Sequence, residues 1–248
     1  MRLLYLGNSS DLRGAVEESE RRAALGGSRL EEATGEPVEV LIKFIWPSER
    51  LAGVVESWVR ELEADLVLLN VSSWWCESLV VRRKLAPKAG PLAPLVSKTI
   101  RAAASRPWIA DSRPYRIANR IALKTAGGAP PFRPAEAADI VMDIIRTLLR
   151  REDLALCVTG NTQGAQLTGG PAYRAWAAAR RVELVNLLVP QLTRLHVVHD
   201  LRLHDASTFD PSLRGPDGLH ANALGHRRSS DSEFPSLLKA WRQRTAPD

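Results

Sequence analysis

Short apolar blocks alternate with longer stretches of helical period along most of the chain. Arg2 to Leu6 is a strand-like run that stops at Gly7-Asn8-Ser9-Ser10. A charged stretch from Asp11 to Ala24 reads as a helix, and Ser28 to Thr34 reads as a second helix ended by Gly35. Val38 to Trp46 (VEVLIKFIW) is rich in strand formers and is broken by Pro47-Ser48. Ser48 then caps a periodic stretch, LAGVVESWVRELEA. Asp65 to Val71 (DLVLLNV) and Asp153 to Thr159 (DLALCVT) are near-continuous apolar runs, the mark of strands buried on both faces of a parallel sheet. Ala135 to Arg150 and Pro171 to about Leu192 carry a helical period, with Pro171 suited to a first turn. His196 to Leu203 reads as a last strand, and Asn222 to Gly225 and Ser232 to Trp241 as closing helix. The order β-α-β-α-β, insertion, α-β-α-β-loop-α predicts a doubly wound parallel sheet of about five strands.

Arg82 to Pro134 breaks this pattern. It holds eight of the 16 prolines, two of them paired as Pro130-Pro131, and so is no regular sheet-and-helix unit. Short helices are expected within it around Val96 to Ala104 and Tyr115 to Ala122. The same stretch accounts for the charge. The 248 residues carry a net +6. Between Lys84 and Pro134 ten basic residues face a single acid, Asp111, a net of +9, and the remainder of the chain is −3. The picture is one domain, 1–248, with a basic, proline-rich insertion over 84–134 that is a candidate lid or docking segment for an anionic partner. A solvated basic surface would have the same composition. Its few aromatics, Trp108, Tyr115 and Phe132, argue against a stacking platform for nucleic acid. No apolar run approaches the about 18 residues of a membrane span, and the opening run is too short for a secretory signal, so a cytoplasmic protein is expected. Cys76 and Cys157 are too few for a disulfide framework and sit in or beside apolar runs, as small buried hydrophobes do.

Ligands of doubly wound sheets sit outside the carboxyl ends of the strands, which puts Gly7-Asn8-Ser9-Ser10 on the functional edge. Alone, this tetrapeptide is also ordinary turn and cap chemistry. The far end changes its weight. Residues 216–227 read PDGLHANALGHR, with Asp217 and His220 in a loop just before a helix. An imidazole there can take a hydroxyl proton on one ring nitrogen while the carboxylate holds the other in the right tautomer. A surface histidine beside a capping aspartate would read the same way. After the fourth strand, TGNTQGAQLTGG offers Asn161 and Gln163 as ligand contacts, without the spacing of a phosphate loop. Trp74 and Trp75 suit either a pocket wall or the core. His196, His199 and His204 alternate in a strand but lack a carboxylate or cysteine companion, so no metal and no cofactor is expected.

Together, YLGNSS and PDGLHANALGHR resemble the first and last blocks of the SGNH (GDSL-type) hydrolases, and ADLVLLNVSSWW occupies the place of their third block. The resemblance implies a flavodoxin-like three-layer α/β/α sandwich. It also implies Ser9 as nucleophile, His220 as base and Asp217 as its partner, in hydrolysis or transfer of acyl esters. The substrate would be a small or carrier-bound acyl compound. The middle departs from the family. Trp46-Pro47-Ser48 lacks the glycine of the second block, and Trp74 falls near the place of the third-block asparagine, both usual oxyanion donors. Losing one such donor typically costs about a hundred- to a thousandfold in turnover. Two readings stay open. Either the Ser9 amide, Ser72, Ser73 or Asn161 substitutes as donor, or the domain binds an acylated, sugar-like or anionic partner without turning it over.

Overall fold

The computed structural model describes residues 1–8, 16–77, 129–161, 171–201, 211–213, 215 and 220–245, together with two isolated helical positions, Pro114 and Ile117. The strands are β1 (Arg2–Gly7), β2 (Glu39–Phe44), β3 (Leu66–Ser72), β4 (Ala155–Asn161) and β5 (Val198–Leu201). The helices are α1 (Arg22–Thr34), α2 (Leu51–Glu61), a single turn α3 (Trp74–Glu77), α4 (Pro134–Leu148), α5 (Pro171–Arg194) and α6 (Ala223–Thr245). All strand pairs are parallel, in the order β2-β1-β3-β4-β5. The expected doubly wound sheet is therefore present, in the flavodoxin-like order.

Two cores sandwich the sheet. Leu4, Leu6, Val67, Leu69, Val71 and Val158 point to one side, against α2, α4 and α5. Leu3, Tyr5, Leu66, Leu68 and Cys157 point to the other, against α1 and α6. Because successive side chains alternate, covering both faces requires every residue of a central strand to be apolar, which is why these runs read as continuous. Each fully buried leucine or valine contributes roughly 1.5–3 kcal/mol over leaving it in water. Among the described residues no helix is long and apolar enough to cross a membrane.

Several boundaries differ from expectation, each for a physical reason. The break expected at Gly26-Gly27 does not occur, and α1 runs through both glycines to its left-handed cap, Gly35, at φ 72°. A methyl group on Gly27 would lie 2.3 Å from Val40 Cγ2, so the glycine is there to let helix and strand approach closely. The part of the expected first helix over 11–15 lies outside the described residues, as do the short helices within the insertion apart from Ile117. Ser48 does not cap α2 with its side chain. The cap is Arg50, without a side-chain bond, and the Ser48 carbonyl accepts from Leu51 N at 3.0 Å. The two expected closing helices are one, α6, with Pro235 inside it. Helix α4 starts as its sequence suggests, with Pro134 in its first turn and the Glu136 carboxylate accepting from Arg133 N at 2.7 Å.

Both cysteines are buried, in keeping with their reading as small core residues. Burial, reinforced by the neighbouring Glu77, pushes the Cys76 thiol up to about 12, and burial also pushes the Cys157 thiol up. Both are thus protonated and unreactive at ordinary pH. The folded protein is expected to show no fast reaction with a disulfide reagent at pH 8, and two thiols in denaturant. A fast-reacting thiol in the native state would contradict the burial described.

Candidate active site

The flavodoxin-like strand order has its topological switch point between β1 and β3. Of the candidate residues, Ser72 and Ser73 stand at this edge, at the end of β3. β1 ends at Gly7, Asn8 is half-buried, and Ser9 is the next residue in the chain, itself outside the described set. Ser72 closes β3 and pairs in register with Asn161, which closes β4. Ser73 and Trp74 follow at the turn into α3. Asp217 lies outside the described residues, and His220 stands half-buried, three residues before α6 begins.

The block HANALGHR folds as a local device that fixes His220. Asn222 caps α6, its Oδ1 accepting from Gly225 N at 2.9 Å and its Nδ2 donating to the Ser212 carbonyl at 2.7 Å. Gly215 N donates to the His220 carbonyl at 2.8 Å, and Asn222 N to that of Leu213 at 3.0 Å. Gly225 permits this closeness, since an added Cβ would stand 2.3 Å from the Leu213 carbonyl oxygen. His226 is buried, and its Nδ1 accepts from Arg22 N at 3.3 Å, which ties α6 to the start of α1. It is structural, as its place at the head of the last helix suggests.

The middle block is organised by a charge pair that the sequence does not advertise. Glu77 and Arg181 are both buried, 2.7 Å apart, and the second Glu77 oxygen accepts from Ser73 Oγ at 2.8 Å. The one proton of the Ser73 hydroxyl therefore points to a buried carboxylate inside the protein. Tyr173 OH donates to the Glu77 carbonyl at 2.8 Å, and Arg180 to the carbonyls of Cys76 and, at 3.1 Å, Phe132. Phe132 N donates to the Trp75 carbonyl at 3.0 Å, so the C-terminal end of the basic insertion lies beside α3. Trp75 belongs to the core rather than to a pocket wall, whereas Trp74 is half-buried. Of Asn161 the backbone is described, and Gln163 lies outside the described residues. His199 lies 3.3 Å from Thr193 Oγ1, and burial holds its imidazole below the usual histidine range. His196 occupies a left-handed turn at φ 54°.

On the other face a second buried pair, Arg22 and Glu233 at 3.3 Å, joins α1 to α6. Glu233 also accepts from Tyr5 OH at 3.3 Å and from Thr159 Oγ1 at 3.4 Å, and Asn70 Nδ2 donates to both Tyr5 OH, at 3.1 Å, and Glu233. The helices that flank the functional edge are thus each tied by a buried arginine and glutamate.

No family model and no curated protein matches the sequence. Solved structures do match it. TesA superimposes with a TM-score of 0.55 at 13% identity, over 97% of this chain and 99% of that one. The psychrotrophic esterase EstA from Pseudoalteromonas sp. gives 0.55 at 10% identity, over 98% of each chain. A carbohydrate acetylesterase family member from Sinorhizobium meliloti gives 0.52 at 13% identity, over 98% of each chain. At such identities the likeness is one of fold, and it spans nearly the whole chain. The protein has the three-layer α/β/α fold of the SGNH hydrolases, the family its end blocks resemble.

Proposed function

We propose that the protein is an SGNH-type serine hydrolase or acyltransferase that acts on an acyl ester through an acyl-enzyme at Ser9. The observation that carries this reading is where β1 ends. Gly7 closes that strand at the switch point, Ser9 is two residues further along the sequence, and His220 stands before a helix whose start is pinned by Asn222, Gly225 and His226. Ser9 Oγ attacks the acyl carbonyl while His220 takes its proton, and Asp217 holds the imidazole and stabilises the imidazolium. His220 returns the proton to the departing alkoxide. Water, or an acceptor hydroxyl, then attacks the acyl-enzyme and regenerates Ser9. The Ser9 amide, Ser72 and Asn161 remain as oxyanion donors, since a role for Ser73 would require breaking its bond to Glu77.

The basic insertion adds an anionic or carrier-bound acyl compound to the substrates we favour, because its C-terminal end lies beside α3, the turn that follows β3. That inward-turned Ser73 hydroxyl, with Trp74 near the usual asparagine position, favours a second reading as a binding domain that keeps the fold without turnover. A fluorophosphonate probe separates the two. Wild type is expected to be labelled, and Ser9→Ala to be unlabelled at equal folded concentration. An unlabelled wild type that also fails to turn over short-chain aryl esters would leave the binding domain as the reading.

A further inference from the structure

Strand β2 closes one side of the sheet, and its outer edge is open. Glu39 N donates to the Met1 carbonyl at 3.0 Å and Ile45 N to the Gly7 carbonyl at 2.9 Å. Alternate residues of a strand bond to the same neighbour, so Glu39, Leu41, Lys43 and Ile45 turn their backbone groups to β1. The N–H and C=O groups of Val40, Ile42 and Phe44 aim the other way. Among the described residues no strand lies beyond β2, and these groups have no hydrogen-bond partner. An open edge that runs from Val38 to Trp46 without a proline is a template for another strand.

The side chains of β2 say which strand. Alternation puts Glu39, Leu41 and Lys43 on the α2 side, where Leu41 packs on the core and Lys43 Nζ stands 5.8 Å from the Trp58 ring centre. Glu39 Oε2 accepts from Arg2 Nε at 3.2 Å in an exposed pair. Val38, Val40 and Ile42 pack on the α1/α6 side, and Phe44, 41% exposed, continues that row. Two identical strands related by a two-fold axis run antiparallel. With the axis beside Leu41, Glu39 stands opposite Lys43 of a second copy, and Lys43 opposite its Glu39. Val40 then meets Ile42 and Phe44 meets Val38, as the hydrogen-bonded pairs that use the outward groups. Glu39 and Lys43 meet as the closer, non-bonded kind, with Cα atoms about 4.5 Å apart. An axis at Val40 or Ile42 sets a charge against Leu41 instead, and one at Glu39 or Lys43 sets like charges face to face. Charges that guard an edge repel their own image. Opposite charges spaced evenly about Leu41 attract theirs.

We propose that two copies of this chain join their sheets antiparallel along β2, about an axis at Leu41, with Glu39 and Lys43 paired across the axis on both sides. The product is one continuous sheet of ten strands, five from each copy. Each copy uses its β2 edge once, so the assembly closes at two. The inference is independent of the reading of Ser9.

Sedimentation velocity of the full chain over the micromolar range is expected to show a reversible dimer. Glu39→Lys and Lys43→Glu each set like charges opposite one another twice, and each should weaken the dimer about tenfold or more. The double exchange, Glu39→Lys with Lys43→Glu, restores both pairs and should regain the dimer. All three should keep the wild-type circular dichroism, since the bonds of β2 to β1 are untouched. Oxidised Leu41→Cys brings two thiols together across the axis, within disulfide reach, and should give a covalent dimer. Glu39→Cys should not, because its two copies would stand about 14 Å apart. Cys76 and Cys157 are buried and do not compete. Recovery in the double exchange, with cross-linking at 41 and not at 39, supports the proposal. A dimer indifferent to the exchanges, a double exchange no better than the single ones, or cross-linking at 39 and not at 41 overturns it. A wild type that stays monomeric overturns it too, and leaves the edge to a different chain.

Discussion

His220→Ala is expected to lower kcat for phenyl acetate by about four to six orders of magnitude, and Ser9→Ala by as much. The size follows from what each group does. Without the imidazole the serine hydroxyl keeps its proton and is a poor nucleophile at neutral pH. Without the hydroxyl the imidazole has nothing to activate. The two changes remove the same step, so the double variant is expected to be no slower than either single one. Asp217→Asn should cost about ten-thousandfold, since it leaves the ring in place but in the wrong tautomer. KM should move little in all of them. Single-turnover kinetics on folded protein would check this. Losses that multiply in the double variant would mean that Ser9 and His220 do not act as a unit, and the proposed chemistry would fall.

The sheet was legible because its strands are buried on both sides, which forces near-continuous apolar runs such as Leu66–Ser72. The helices were legible where apolar residues mark the buried stripe, as in α4, and not where polar residues do. Helix α6 shows why. Its inward stripe begins His226, Ser230, Glu233 and turns apolar only at Leu237 and Trp241. A search for apolar period therefore finds the second half alone. Helix α1 was split in reading because two glycines lower helix propensity, whereas in the fold Gly27 makes room for Val40 and Gly26 faces Leu237 and Ser230 of α6. The local fold of the last block was legible because most of its partners are close in sequence: Asn222 bonds Gly225, and Gly215 bonds the His220 carbonyl. That of the middle block was not. Ser73 is governed by Glu77 four residues on, but Glu77 is governed by Arg181, 104 positions away. Arg22 and Glu233, 211 positions apart, escape for the same reason. In sequence all four look like solvated helix charges.

The Glu77–Arg181 pair carries the second large expectation. Glu77→Ala leaves a buried guanidinium without that carboxylate, and should destabilise the fold by about 3–5 kcal/mol. In a chain of this size that is roughly 10 °C in Tm. Arg181→Ala should cost as much, for the mirror reason. Exchanging both for apolar residues, Glu77→Leu with Arg181→Met, should recover most of the loss, because neither charge is then left buried alone. The exposed Arg133–Glu136 pair is the contrast: solvent screens it, and breaking it should move Tm little. Thermal melts of the two singles and the double measure the coupling, and a Glu77→Ala variant melting with wild type would refute it. The pair also holds the turn that leaves β3 at the switch point, through Ser73 on one side and through Tyr173 and Arg180 on the next turns of α5. The apolar double variant should therefore regain stability without regaining full turnover. Its Ser73 hydroxyl has lost the acceptor that turned it inward, and the turn that follows β3 is no longer held by charge.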